Sequence, residues 1–243
     1  MKTENKRIII TGGTSGVGFE MVKQLYDNNQ LIVLSRDSKK LNTLSQQFTE
    51  ILTYQVDLSN LSQVEQVANT IKERFDSIDI LINNAAIQNT PTFLSKDFDY
   101  QSISKEITIN FTSVCSLCYL LLPQLLNSQN ATILNVNSGL GLTPKTSSAI
   151  YCATKGALNL FSQSLRYQLE HTNIKVRQAF LDLVDTKMTR GRGKNKMSAD
   201  TAATLIIRGI EHDLLDQDIG KVRFLRPLLS LMPWVAKSIM KQH

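Results

Sequence analysis

Short runs of β-branched and other apolar residues punctuate this chain, each separated from the next by enough residues for a helix. They are Arg7–Thr11, Leu31–Ser35, Ile51–Val56, Asp79–Asn83, Thr132–Asn137, Ile174–Phe180 and Lys221–Leu225. Parallel strands need crossovers of that length, and hairpins do not. Runs such as Ile8-Ile9-Ile10 and Ile80-Leu81-Ile82 lack polar alternation, the pattern of strands covered on both faces. The intervening segments are amphipathic: Leu61, Val64, Ala68, Ile71 and Phe75 recur at helical spacing behind Ser59 or Asn60, either of which can cap a helix. The expectation is an α/β fold, a doubly wound, seven-stranded parallel sheet with helices on both faces. No fixed-period repeat or Pro/Gly/Ser-rich linker interrupts residues 1–243, and all five prolines fall outside the proposed strands, so the chain reads as one domain.

Composition narrows the function classes. With 42% hydrophobic and 20% charged residues the chain can build a core, which excludes collagen-like, low-complexity and disulfide-scaffold proteins. No apolar run approaches the roughly 20 residues of a membrane span. Met1–Arg7 is polar rather than a signal segment, and three cysteines suit a reducing compartment, so the reading is cytoplasmic. A net charge of +6 attracts anions but does not by itself choose among a phosphorylated cofactor, an acidic substrate and an anionic surface.

The first strand runs into Thr11-Gly12-Gly13-Thr14-Ser15-Gly16-Val17-Gly18, then into a helical stretch with Val17, Met21 and Leu25 on one face. Glycines let a backbone turn tightly and approach a pyrophosphate, while N–H groups at a helix start supply donors beside a positive dipole end. Gly12, Thr14, Ser15, Gly16, Val17 and Gly18 are therefore the expected seat of a dinucleotide, and the Gly-Lys-Ser/Thr of an ATP-binding loop is absent. Where an acidic residue would accept bonds from the adenosine ribose, at the end of the second strand, stand Ser35 and Arg36. A carboxylate repels a 2′-phosphate and a guanidinium binds it, so the pair reads as NADP(H) preferred, with NAD(H) as the second option. A solvated surface arginine is the alternative reading of Arg36. Asp57, just after the third strand, suits either an adenine amino group or the acidic start of a helix.

Tyr151 and Lys155 stand four apart on a segment of helical pattern and so share a face. An ammonium beside a phenol favours the phenolate and lowers its pKa from about 10, toward the range in which it exchanges protons with an alkoxide. Helices are rich in both residues, so the pair alone is equally compatible with a structural role. Together with TGGTSGVG, Asp57-Leu58 and Asn83-Asn84-Ala85-Ala86, it resembles the short-chain dehydrogenase/reductase family, from Arg7 to about Leu225. The resemblance implies a Rossmann-like fold and an NADP(H)-dependent oxidoreductase that interconverts a carbonyl and an alcohol. It also implies a tetrad of Asn110, Ser138, Tyr151 and Lys155, at intervals of 28, 13 and 4 residues. By that resemblance Ser138 holds the substrate carbonyl, Tyr151 is acid/base, Lys155 also binds the nicotinamide ribose, and Asn110 holds a proton-relay water. An ordinary turn serine and a buried helix asparagine bonded to backbone are the structural alternatives for Ser138 and Asn110.

Leu58, Asn83, Ala85, Val184 and Thr186 complete the cofactor residues that the resemblance implies. A small-molecule substrate and a homodimer or homotetramer built on the helices around Gln101–Leu126 and Ala149–His171 are implied too. Within the family, Asn135–Lys155 with Leu183–Arg192 is most similar to the DltE-like oxidoreductases, a link to cell-envelope metabolism by association. A competing reading from another class is a dinucleotide sensor or scaffold with little turnover.

Two departures from the family pattern stand out. Ala86 replaces a glycine, and Leu181-Asp182 replaces Pro-Gly after the sixth strand. Asp182 brings a carboxylate near the expected nicotinamide pocket, where it either favours the oxidised ring or points to solvent. The basic segment Thr186–Met197, with Arg190, Arg192, Lys194 and Lys196, opens the family's lid region at 186–213, and either faces water or steers an acidic substrate. The apolar tail 227–243 reads as packing over the pocket or a subunit interface, with contact to an anionic membrane surface less favoured. Cys115 and Cys118 lie in an apolar helical run without a second ligand pair, and His171, His212 and His243 are scattered, so no metal is expected. No aromatic-basic platform for nucleic acid is present.

Overall fold

The computed structural model of the chain describes residues 2–241, so Met1, Gln242 and His243, the end of the apolar tail among them, lie outside the described residues. β1 (Arg7–Thr11) leads through the glycine loop to α1 (Gly16–Leu25), then β2 (Gln30–Ser35), α2 (Ser38–Gln47), β3 (Leu52–Gln55), α3 (Leu61–Arg74) and β4 (Ile80–Asn83). A broken helical arm of α4 (Gln101–Ile107), α5 (Ser113–Leu120) and α6 (Leu122–Leu126) precedes β5 (Ala131–Ser138), α7 (Ala149–Gln168) and β6 (Ile174–Leu181). The short β7 (Val184–Asp185) and β8 (Met197–Ser198) pair with each other and close the loop between them. After them come α8 (Ala199–Glu211), β9 (Asp216–Asp218), α9 (Val222–Leu231) and α10 (Pro233–Lys241).

The sheet has seven strands in the order β3-β2-β1-β4-β5-β6-β9, every pair parallel. Alternation along the central strands feeds two cores. Ile9, Ile32, Leu81 and Ile133 pack with Val64, Ile71, Leu117 and Leu158 on one face, and Ile8, Ile10, Val33 and Ile82 with Met21, Val22, Leu41 and Ile206 on the other. Each such fully buried side chain stabilises the fold by about 1.5–3 kcal/mol. The winding direction reverses between β1 and β4, and the crevice beyond the carboxyl ends of those strands is where a doubly wound sheet binds ligands. Asn60, not Ser59, caps α3, its side chain accepting from the Gln63 N–H at 3.2 Å.

The seventh strand is not where the apolar pattern put it. Lys221–Leu225 alternates polar and apolar residues like a half-buried strand, yet Gly220, at φ 69°, turns the chain and these residues open α9. The edge strand is Asp216-Gln217-Asp218, which carries no apolar signal. Backbone bonds define it, from Gln178 N to Leu215 O at 2.8 Å and Ile219 N to Phe180 O at 2.9 Å. Its acids find cations: Arg166 meets Asp216 at 2.7 Å and Arg226 meets Asp218 at 2.7 Å. Among the described residues no helix is long and apolar enough to cross a membrane.

Candidate active site

A cleft of about 1110 Å³ opens at the switch point, and the loops after β1, β2, β4, β5 and β6 all contribute to its walls. Thr11 braces its floor. The Thr11 hydroxyl accepts the N–H groups of Asn84 at 2.9 Å and Ala85 at 3.0 Å, and Asn84 Nδ2 donates back to Thr11 O at 3.0 Å. The glycine loop lies against this brace. Gly12 sits at φ +70°, and a Cβ on Gly18 would fall 2.3 Å from Gly12 O, so neither position accommodates a side chain. Ser15 at the cap of α1 makes no side-chain cap bond and no acid occupies the first turn, which leaves the leading N–H groups of residues lining the cleft available to an anion.

The adenosine end follows from β2 and β3. Ser35 Oγ lies 3.0 Å from Thr14 Oγ1, joining the end of β2 to the glycine loop. Arg36 lines the cleft, and among the described residues it forms no ion pair, whereas neighbouring Lys40 is engaged with Asp37 at 3.2 Å. Burial pushes the Asp57 carboxyl up, but the Ser59 hydroxyl at 2.7 Å and the Ser59 N–H at 2.9 Å, with Arg36 beyond, hold it below its usual value. These residues, with Leu58, form a pocket whose unpaired cation and uncapped helix start suit a phosphorylated dinucleotide.

The reactive end is built from β5 and α7. β5 ends at Ser138, whose Oγ accepts the Leu140 N–H at 3.2 Å, and the turn Gly139–Gly141 follows. α7 starts from Ser148, a non-glycine residue at φ 59°, and its first turns carry Tyr151 and Lys155 into the cleft. Lys155 Nζ donates to Val136 O at 2.7 Å and lies 5.8 Å from the centroid of the Tyr151 ring. Burial brings Lys155 down to about 8. Burial also pushes Tyr151 up to about 12, with the Ser138 hydroxyl the largest opposing influence. The sequence argument that Lys155 lowers the phenol is therefore corrected for this state: desolvation dominates, and the ammonium is directed at a backbone carbonyl.

Gly12, Thr14, Ser15, Gly16, Val17, Gly18, Ser35, Arg36, Asp57, Leu58, Ala85, Ser138, Tyr151, Lys155, Val184 and Thr186 all line the cleft. Two expected site residues stand behind it. Asn83 is buried with its amide on Asn135 Oδ1 at 2.9 Å and near Cys118 Sγ at 3.5 Å. Asn110 occupies a widened π turn, Thr108–Thr112. Its side chain accepts the Ile87 N–H and donates to Ile87 O, each at 2.8 Å, and reaches Thr154 Oγ1 at 3.2 Å. Its side chain thus faces the Ile87 backbone behind the cleft wall.

Sequence reasoning placed Thr11 and Asn84 in motifs without giving either a role, and passed over Lys145 and Gln88. A polar residue closing an apolar strand was the signal for Thr11, and the others lie in loops without periodicity. Asp182 lines the cleft, and its Oδ2 accepts the Lys221 N–H at 3.4 Å beside the start of α9. Thr186 and Thr189 form a reciprocal capping box that shapes the loop after β7. In that loop Arg192 lines the cleft, bonded to Gln88 Oε1 at 2.8 Å and to Met188 O, whereas Arg190 does not line it and Lys196 pairs with Asp185 at 3.0 Å. The tail packs over this end, with Leu225, Leu228, Ile239 and Met240 facing the cleft and Phe224, Leu231 and Trp234 largely exposed. Burial pushes the Cys115 and Cys118 thiols up to about 11 and about 12, away from thiolate chemistry.

Sheet, glycine loop and Ser/Tyr/Lys cluster together define the class, an oxidoreductase on a Rossmann-like fold. Residues 6–197 match the short chain dehydrogenase family, and the chain belongs to it. The oxidoreductase DltE of Bacillus subtilis (strain 168) is 34% identical over 214 residues, which cover 88% of this chain and 82% of that protein. A short chain dehydrogenase from Burkholderia cenocepacia J2315, solved in complex with NADP, superposes with a TM-score of 0.88 over 99% of each chain at 20% identity. A short chain dehydrogenase/reductase from Burkholderia phymatum, in complex with NAD, superposes with a TM-score of 0.84 over 95% of this chain and 96% of the other, also at 20% identity.

Proposed function

We propose that this chain is an NADP(H)-dependent carbonyl reductase or alcohol dehydrogenase, using NAD(H) as a weaker alternative. The observation that carries the reading is the convergence of Ser138, Tyr151 and Lys155 in one cleft that continues to the uncapped start of α1 and to Arg36. Arg36 would hold the 2′-phosphate, the α1 N–H groups the pyrophosphate and Asp57 the adenine amino group. The Lys155 ammonium spends one proton on Val136 O and keeps others for the nicotinamide ribose. The bound nicotinamide supplies or takes up the hydride. Ser138 Oγ orients the substrate oxygen, and Tyr151, protonated across the ordinary pH range, delivers its proton to that oxygen in reduction. Asn110 acts as a positioning residue that fixes the Ile87 backbone.

The cofactors bound in the two solved structures, NADP in one and NAD in the other, support this choice. The competing reading, a dinucleotide sensor with little turnover, draws on Leu181-Asp182, whose carboxylate lines the cleft, whereas the Ser138, Tyr151 and Lys155 cluster supports the enzyme. One sheet shared by both cores supports a single domain over residues 1–243, with 186–213 supplying the lid region. Exposed Tyr119, Leu160 and Tyr167 on the arm and α7 offer apolar surface for a homodimer or homotetramer, and the cytoplasm is the proposed location. Turnover of a ketone panel with NADPH tests the reading. Tyr151→Phe should lose about 10²–10⁴-fold in kcat while still binding NADPH by calorimetry. Full turnover in that variant would refute the assignment.

A further inference from the structure

Among the unpaired cations that line the cleft, Lys187, Lys194 and Lys221 are exposed, whereas two are drawn in at its substrate end. Lys145, in the loop after β5, and Arg192, in the loop after β7, both line it and are half-buried. Among the described residues neither makes an ion pair, and Arg192 bonds only to the neutral acceptors Gln88 Oε1 and Met188 O. The two cations repel, since Arg192 adds to the burial that lowers Lys145, and Arg192 also acts on Tyr151. The nearest buried acid, Glu106, faces the Asn89 N–H and amide at 3.1 and 3.2 Å and does not line the cleft. Neither cation serves the 2′-phosphate, because Arg36 follows β2 and Lys145 follows β5, with β1 and β4 between them in the sheet. Opposite them lies hydrocarbon. The Lys145 loop is joined to the tail by the bond from Thr146 Oγ1 to Lys241 O at 2.5 Å, and the tail turns Leu225, Leu228 and Met240 into the same space.

Half-buried like charges are costly unless an anion joins them, and an apolar wall rewards a ligand with methylenes to bury. We propose that the substrate is an amphipathic carbonyl compound whose carboxylate is held between Lys145 and Arg192 and whose alkyl chain lies on Leu225, Leu228 and Met240. The inference rests on the reading of this cleft as a carbonyl site and adds the substrate class to it.

The probes are a γ-keto fatty acid, with its carbonyl between a short carboxylate arm and an alkyl chain, and the methyl ester of the same acid. With NADPH the acid should exceed the ester in kcat/KM by about tenfold or more. Lys145→Gln and Arg192→Gln should each reduce the acid-over-ester ratio of kcat/KM about tenfold, a ratio in which any effect of Arg192 on Tyr151 cancels. Equal use of acid and ester, or a preference that survives in the double variant, would overturn the anion site. Failure to reduce either compound defeats the reductase reading alone, and calorimetry then decides the anion site. Decanoate binding tighter than decanol binding, with the difference lost in the double variant, sustains it; equal affinities, or a difference the double variant keeps, reject it.

Discussion

Lys155 passes beneath the Tyr151 ring to reach a backbone carbonyl, with Nζ 2.7 Å from Val136 O and 5.8 Å from the ring centroid. Its ammonium is buried against that one acceptor, an arrangement that costs stability and that packing alone would not favour. Burial drives the two neighbours in opposite directions, the lysine down to about 8 and the tyrosine up to about 12. Both shifts favour neutral side chains, a poised state that a bound dinucleotide and substrate would alter by adding polar partners.

Lys155→Met should therefore stabilise the protein while abolishing turnover. At about 8 the buried Lys155 lies below lysine's ordinary value of about 10.4, so between those values the unfolded chain binds more protons and stability contributed by this group rises with pH. Below pH 8 the full penalty is present. Methionine removes it, and urea unfolding at pH 7 should show a gain of about 1–3 kcal/mol that shrinks by pH 10. A variant less stable than the parent at pH 7 would show that the Val136 bond outweighs the burial of the charge.

Arg36 carries the cofactor choice. Replacement by alanine removes a charge-assisted contact to a 2′-phosphate and touches nothing that NADH presents there. Calorimetry of Arg36→Ala should show about a tenfold loss of NADPH affinity with NADH changed by less than about twofold. Equal losses for both dinucleotides would mean that Arg36 shapes the β2 loop instead of reading the phosphate.

How far the sequence discloses this molecule depends on whether a feature is carried by apolar pattern or by loops. β1, β2 and β4 coincide with runs of buried Ile, Leu and Val to within a residue or so at each end, as burial on both faces requires, and β3, β5 and β6 were legible from mixed runs although β3 is only half-buried and β5 and β6 bury polar side chains. Asp216–Asp218 escaped because an edge strand needs only backbone donors and acceptors, while Val222 and Phe224 imitated the alternation that the edge lacked. The glycine loop and the Tyr151/Lys155 pair were legible as spacing. The sign of the Tyr151 shift was not, since it depends on desolvation in three dimensions, and neither was the turn of Asn83 and Asn110 away from the cleft. Lys145 and Arg192 lie far apart in sequence and share one cleft only because the loops after β5 and β7 both border it.

Gly18→Ala should be more damaging than its small volume suggests. The added methyl would meet Gly12 O at 2.3 Å and Asn84 Nδ2 at 2.5 Å, contacts that the backbone brace around Thr11 cannot relax locally. Overpacking of this kind costs about 1–3 kcal/mol. Thermal unfolding should report that loss, and NADPH affinity should fall with it because the displaced loop is the proposed pyrophosphate seat.

Asn110 is expected to act through Ile87. Its side chain satisfies both backbone groups of Ile87 and also Thr154 Oγ1, and a π turn sets it at the right height. Asn110→Ala leaves the Ile87 N–H and C=O without these partners, at a cost of about 1–3 kcal/mol for each group that water cannot reach. The loop after β4 borders the cleft through Ala85, Ala86 and Gln88, so its loosening should lower kcat with a smaller effect on NADPH binding. Hydrogen exchange separates this positioning role from a direct one: the Ile87 amide should lose protection in Asn110→Ala, while the Tyr151→Phe variant keeps it. Retained protection at Ile87 together with a large loss of kcat would instead assign Asn110 a part in the proton path itself.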